Sequence, residues 1–302
     1  MKWTFSFFLL FLSIGIFAQT EATSFENEVS EKDTSYWKTE GVTGLNFSQV
    51  WLENWSSGGD NSVAGNIYLN ARLSYAKNHI SWDNTIDTEF GQVYTTLNDW
   101  QKSADKLNLS SKFGWTKNKK LYYSTLLDFK TQYAKGYKTP GDSLYISNTI
   151  APGYANLAIG IDYKPSSAFS AFFSLLTGKV TFVLDDYLSS LGSFGVDAGR
   201  HTKYEFGGYA KFSLNTKLHK NINLLSTIDF FTAYDDSFGN VDINLEGMLS
   251  MKVTNYITTT LSISAKYDDD IKTVETVNGV SRPRGAKAQF KEALGIGIAY
   301  TF

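Results

Sequence analysis

The 302-residue chain has three histidines, and one of them has neighbours that suggest nucleophilic chemistry. His201, in GRHTKYE, follows Ser189, Ser190, Ser193 and Asp197. A serine, a histidine and an acid are the parts of an acyl-transfer triad, the equipment of a lipid hydrolase working on the outer wall of a barrel. Geometry rather than spacing makes a triad, so the expectation is a loop histidine and no enzyme. His79 and His219 fall in short polar turns and read as solvated.

A second chemistry is open to carboxylates. YDDDI (Asp268, Asp269, Asp270) and YDDS (Asp235, Asp236) end two neighbouring strands, and their oxygens suit Ca²⁺ or Mg²⁺. Neither run has the glycine turn and distal glutamate of an ordered calcium loop, so both read as a charged rim with no metal or cofactor. NWSSGGDNS has the paired glycines of a phosphate cradle but no following lysine or helix, and reads as a connecting loop. With no cysteine, disulfides and thiolate metal sites are excluded.

Most of the remaining charge is distributed regularly. Asp83, Asp87, Glu89, Lys112, Asp128, Lys130, Asp162, Lys211, Asp229, Asp242, Glu246 and Lys252 stand at alternate positions in otherwise apolar runs, as do Lys106, Lys120, Glu205 and Lys217. The clearest run is 241–253, where Val241, Ile243, Leu245, Leu249, Met251 and Val253 take one face and Asp242, Asn244, Glu246, Ser250 and Lys252 the other. Such alternation is that of β-strands and not of helices.

Roughly twelve such runs occur, centred near residues 47, 69, 87, 111, 127, 159, 175, 212, 229, 247, 263 and 294. Their connections alternate. AKNH, KNKK, KPSS, HKNI and TNYI are tight turns, whereas LNDWQKSAD, the stretch 136–154, DDYLSSLGSFGVDAGRHTK and DDDIKTVETVNGVSRPRG are longer loops. Short connections on one side and long ones on the other are the signature of an antiparallel outer-membrane β-barrel, with periplasmic turns and extracellular loops.

Three further features separate it from a soluble barrel, which is apolar inside. The runs reach about 14 to 18 residues, against ~5 to 6 for soluble strands. Aromatics sit near the short turns (Trp82, Trp115, Tyr123, Tyr163, Tyr256, Tyr300) and near the long loops (Trp51, Tyr133, Tyr204, Tyr234, Tyr267), as interfacial girdles require. Finally, Phe5–Phe17 is an apolar run behind a lysine and before Ala18, which reads as a cleaved signal peptide over 1–18. The polar, acidic stretch 19–40 reads as a flexible periplasmic leader and 41–302 as the barrel. Aromatic residues at 16% with only 4 prolines suit that reading. A net charge of −2 and the lack of a basic stripe set nucleic-acid partners aside.

The segments GLNFSQVWLENWSSGGDNSVAGNIYLNARLSY, SWDNTIDTEFG, KFGWTKNKKLYYSTLLDFKTQYAKGY, ISNTIAPGYANLAIGIDYKPS, LLTGKVTFV, YDDDI and QFKEALGIGIAY together resemble a family of Bacteroidota outer-membrane β-barrel proteins known only as a domain of unknown function, DUF3078. The resemblance spans about residues 40–302. It implies an outer-membrane location in that bacterial group and brings no activity, substrate or catalytic residue with it. Outer-membrane lipid and lipopolysaccharide, the barrel-assembly machinery, and some other envelope protein are the partners expected.

The charged face is nearly balanced in sign, which favours an internally paired lining over a selective ring. The expectation is a porin-like passive or gated channel for small hydrophilic solutes. The alternative is a structural or partner-binding barrel with a plugged lumen, and an outer-membrane lipid hydrolase ranks third. The final strand, KEALGIGIAYTF, sets Ala293, Gly295, Gly297 and Ala299 on the inward face. Water, long side chains from across the lumen, or an inserted segment must fill the room they leave. The leader and the loop 185–203, whose DYLSSLGSF suits a short helix, are the candidate plugs.

Overall fold

The computed structural model describes residues 36–53, 59–254, 256–268, 271–277 and 280–302, and over 272–284 the backbone alone. The signal segment and most of the leader lie outside the described residues, as does the NWSSG of NWSSGGDNS.

Alternation becomes strand wherever the sequence shows it. β1 is Trp37–Val50, β2 Ser62–Lys77, β3 Ile80–Thr95, β4 Asp99–Thr116 and β5 Leu121–Thr131. A loop hairpin, β6 (Gly136–Tyr137) and β7 (Tyr145–Ser147), precedes β8 (Gly153–Tyr163) and β9 (Phe169–Phe182). The helix α1 (Asp186–Ser190) leads to β10 (Thr202–His219), β11 (Ile222–Ala233), β12 (Asp242–Lys252) and β13 (Ile257–Tyr267). A second hairpin, β14 (Lys272–Val277) and β15 (Val280–Ala286), stands before the closing strand β16 (Gln289–Thr301). Twelve of these close into one antiparallel barrel in the order β1-β16-β13-β12-β11-β10-β9-β8-β5-β4-β3-β2. All twelve expected segments are therefore present, in one ring.

The face exposed on the outside is apolar: Ile298 is 65% accessible and Tyr123 64%. By contrast Asp83, Glu89, Asp128, Asp162, Lys179 and Asp229 on the inner face are buried. That inverts the soluble arrangement and makes the fold a transmembrane β-barrel of the outer-membrane type, whose closure satisfies backbone groups that lipid cannot. Trp37, Tyr75 and Trp82 touch one another at the short-turn end, as do Trp115 and Tyr123. Tyr94 and Trp100, and Phe206 and Tyr234, form matching pairs at the long-loop end. These are the two aromatic girdles.

Three expectations are corrected. β1 begins at Trp37, inside the stretch assigned to the leader, because its backbone is already paired with β2 from Trp37↔Tyr75 onward. LNDWQKSAD is not a long loop. β3 and β4 run on until Thr95↔Asp99, joined by three residues, with Lys102 paired to Asp105 at 2.8 Å in the extension. β5, β8, β12 and β13 are shorter than the pattern suggested, at 11 residues each.

Candidate functional site

The lumen holds the chemistry, and the strand register decides what meets there. β5, β8, β9, β10 and β11 aim Leu126, Ala158, Phe172, Tyr209, Phe231 and Ala233 inward, where they form a buried apolar cluster. Leu126 and Phe172 are 0% accessible. The sequence signal was there but faint: a β-bulge in β9 moves its inward face from Thr177 to Ser174 and Phe172, so strict alternation misassigns that strand.

Around this cluster the inward charges pair across the lumen rather than only with adjacent strands. Lys211 on β10 meets Asp128 on β5 at 2.8 Å, and the Tyr209 hydroxyl donates to the same carboxylate at 2.9 Å. Lys130 meets Asp229 at 2.6 Å, and Lys179 meets Asp242 at 2.6 Å and Glu205 at 3.5 Å. Lys112 meets Asp162 at 2.7 Å. Asp83 holds Arg72 at 2.9 Å and Lys164 at 2.5 Å, and Glu89 accepts from the Asn66 amide at 2.6 Å.

The widest span is Lys106. It is paired with Asp87 on the adjoining strand at 2.8 Å and with Glu246 at 3.4 Å, and β4 and β12 lie diametrically opposite in the ring. Each of the expected lumen residues thus takes part in this lining except Lys252 and Lys217. Lys252 keeps the inward register of β12 and Lys217 that of β10, but both are exposed at the strand ends, and among the described residues neither joins the network. Lys120 lies in the β4–β5 turn rather than on a strand. Arg72 falls on the polar face of its run in the sequence, whereas Lys164 and Lys179 were not foreseen. Lys164 belongs to a tight turn, and only folding of that turn over the mouth carries its ammonium to Asp83.

Beneath the Lys106–Glu246 bridge lies a cavity of about 210 Å³ whose lining includes Asn70, Asp87, Asn108, Ser110, Ser213 and Thr227. Its lining reaches the β8–β9 turn through Ser166, Ser167 and Ala168, so it faces the short-turn mouth. No residue of the loop 185–203 lines it.

The room beside the small residues of β16 is filled by side chains. Tyr68 and Met248 form a buried cluster with Val42, against which Leu225 and Ala299 pack. A β-carbon on Gly44 would collide with the Tyr68 ring, and one on Gly295 would lie 2.6 Å from the Asn46 amide nitrogen. That amide donates to Thr260 Oγ1 at 3.0 Å.

The loop 185–203 does contain the expected helix. Asp185 caps it, accepting from the Leu188 N–H at 3.0 Å, and also takes the Asn148 amide at 2.7 Å and the Tyr145 hydroxyl at 3.0 Å. Partial burial pushes the Asp185 carboxyl up, but these donors outweigh it and hold the group below the ordinary carboxylate range. Ala151, Val183, Leu188 and Val196 form a separate core beneath. The two loops thus make a cap with its own packing.

The triad considered for His201 does not assemble. Its Nδ1 meets the Val183 carbonyl at 2.8 Å and its Nε2 faces Asp186 at 3.5 Å. Ser189 and Ser190 donate to the Arg200 and Tyr187 carbonyls, so neither hydroxyl is aimed at the imidazole. Of the rim carboxylates, Asp269 and Asp270 lie outside the described residues. Asp235 accepts from the Ser237 hydroxyl and N–H, which hold its carboxyl below the ordinary value. Among the described residues no cluster suited to a metal forms.

Fold and lining define the class: an outer-membrane-type β-barrel with a polar, ion-paired lumen. Residues 47–137 match the model of a family described as protein of unknown function, DUF3078. No curated protein shows significant sequence similarity to the chain. Among solved structures, it is similar to an outer membrane channel from Pseudomonas putida F1 at 9% identity and TM-score 0.37, over 87% of this chain and 95% of that one. It is also similar to the translocator domain of the autotransporter NalP from Neisseria meningitidis, at 9% identity and TM-score 0.34 over 90% of each chain. A third is the monoaromatic hydrocarbon channel CymD, at 9% identity and TM-score 0.31 over 88% and 87%. Likenesses this distant carry nothing over about what the chain does.

Proposed function

We propose that the chain is a gated conduit for small hydrophilic solutes in a Bacteroidota outer membrane, exported with a cleaved signal peptide and carrying its short turns on the periplasmic side. Lipopolysaccharide and outer-membrane lipid would surround it after insertion by the barrel-assembly machinery. The observation that supports this reading is the polar cavity of about 210 Å³, closed toward the long loops by an ion pair between strands on opposite walls. Lys106 and Glu246 are each about one-fifth accessible and 3.4 Å apart. A partly solvated pair of that kind is worth ~1 kcal/mol, so thermal motion separates it readily, unlike an apolar plug. When the bridge opens Lys106 keeps Asp87, and Glu246 keeps the Ser264 hydroxyl at 2.9 Å and the attraction of Lys266.

Single-channel recording in a planar bilayer tests this. The purified chain should show brief openings, and Glu246→Gln should lengthen them about fivefold, the equivalent of ~1 kcal/mol. Silence from both proteins would remove the conduit. The second reading, a structural or partner-binding barrel, is favoured by the apolar cluster that fills one sector of the lumen, and it would then stand. We read the chain as non-enzymatic. A change in membrane lipid composition on His201→Ala would contradict that.

A further inference from the structure

The ring is closed unevenly at its seam. β1 pairs with β2 along its full length, from Trp37↔Tyr75 to Val50↔Ser62, but with β16 only from Val42↔Thr301 to Asn46↔Gly297. Above Asn46, Phe47–Val50 keep a partner on the β2 side alone, and Gln289–Ile296 keep one on the β13 side alone. Both strand ends are exposed here, including inward-facing Ser48 and Lys291. Unpaired backbone groups at membrane depth cost several kcal/mol each unless something satisfies them.

The walls of this notch differ by face. On the outside, Phe47, Leu294 and Ile296 are exposed and apolar. Further outward along the same faces, Gln49 on β1, Trp51 just beyond it and Glu292 on β16 mark the level where lipid tails give way to headgroups. On the inside, Ala293 and Ser48 leave the opening clear. Beside it Lys266 on β13 and Lys291 on β16 face the lumen as diagonal neighbours, because Ser264 is opposite Lys291 and Lys266 is opposite Gln289. Both lysines are exposed, and among the described residues neither has a carboxylate at salt-bridge distance, although most lumen lysines have one.

We propose that the seam above Asn46 is a lateral portal that binds an anionic amphiphile, its phosphate or carboxylate head on Lys266 and Lys291 and its acyl chain leaving between Phe47 and Leu294 into the bilayer. The head answers Lys291, which has no carboxylate at salt-bridge distance among the described residues, and Lys266, whose attraction is to Glu246, a carboxylate already held by Lys106; the head oxygens accept from N–H groups of the strand edges. A β-strand from another chain would satisfy those edges but bring nothing for the two lysines. This inference does not depend on solute passage through the lumen, and the conductance experiment does not bear on it.

The test uses the full chain in zwitterionic lipid nanodiscs, with spin-labelled fatty acid and spin-labelled phosphatidylglycerol set against spin-labelled fatty alcohol and phosphatidylcholine. Anionic probes should be immobilised about fivefold more than their uncharged or zwitterionic counterparts for each engaged lysine. The preference should vanish in Lys266→Gln/Lys291→Gln. Preference for the fatty acid alone would identify a free carboxylate, and preference for the phospholipid alone a membrane lipid. Since the chain has no cysteine, oxidised Gln49→Cys/Leu294→Cys can lock the seam. Locking should abolish binding and reduction should restore it, and Ala293→Trp, which fills the notch from inside, should act likewise where the disulfide does not form. Equal immobilisation of charged and neutral probes, or binding unchanged in the lysine variant or after the notch is filled, would overturn the portal. So would a second chain that co-purifies on the seam and leaves no room for the probe.

Discussion

Two sectors of one wall are built on opposite plans. From β5 through β11 the inward face is packed with Leu126, Phe172, Tyr209 and Phe231, and its charges are buried in short ion pairs. From β13 through β1 the inward face is mostly Gly, Ala, Ser and Thr, the pairing of β1 with β16 is short, and Lys291 has no carboxylate at salt-bridge distance among the described residues. The first sector is a core in the ordinary sense, turned inside the ring; the second is the place where the ring can part. A barrel that was only a scaffold would gain from packing both sectors. The asymmetry says that rigidity is concentrated opposite the seam, and that the opening at the seam is supported by that rigidity.

The contrast breaks most decisively at Phe172. It is fully buried and its ring lies 6.4 Å from that of Tyr209, so Phe172→Ala should cost about 3–5 kcal/mol through lost contacts and the cavity left behind. Phe47→Ala, at the seam and 59% accessible, should cost less than ~1 kcal/mol. Urea unfolding from nanodiscs, read by the gel shift between folded and unfolded forms, measures both. Equal losses would mean that the seam is as tightly built as the core. Asp128→Ala comes next, at about 3 kcal/mol, because it leaves Lys211 buried without its counterion and the Tyr209 hydroxyl without its acceptor. Replacing Asp128 and Lys211 together by Leu and Met should recover much of that loss. If the double variant is no better than the single one, the pair is not what the carboxylate contributes.

Much of this was legible in the sequence, for physical reasons. A membrane barrel must alternate along every strand, and it must close into a ring, so strand count, face assignment and closure all follow from a period of two. That logic placed Asp83, Asp128, Lys211 and Glu246 inward before any coordinates. It could not tell which charge meets which, since Lys106 and Glu246 are joined by ring geometry and lie 140 positions apart. Nor could it find Phe172, whose phase is shifted by the bulge in β9. The small residues of β16 announced an unfilled volume, but Tyr68 and Met248 could be named as its filling only once β2 and β12, the second neighbours of β16 on either side, were in place. The loop 185–203, one of the two candidate plugs, stays out of the cavity for a related reason. Its apolar residues found Ala151 and Val183 first, and no signal in the loop itself reveals that competitor.

The cap supplies the smallest effect and the sharpest check on where the rigid sector ends. Asp185 is held below its ordinary pKa by Asn148, the Leu188 N–H and Tyr145, so the unfolded cap takes up a proton before the folded one does. The stabilisation is therefore fully present above about pH 4, the ordinary value for an aspartate, and is lost as pH falls through the lower folded value. Asp185→Ala should weaken the cap at neutral pH by ~1 kcal/mol, the usual worth of an N-cap. Tryptic cleavage at Lys135, Lys138 or Arg200 should then speed up severalfold, while the urea midpoint of the barrel stays where it was. Pepsin digestion of the parent chain should show the same loosening on descent below pH 4, and Asp185→Asn, which keeps a capping oxygen and cannot titrate, should not follow that pH course. A barrel midpoint that moved with the cap would show that the two loops brace the wall of β8 to β10, and the rigid sector would have to be extended upward to include them.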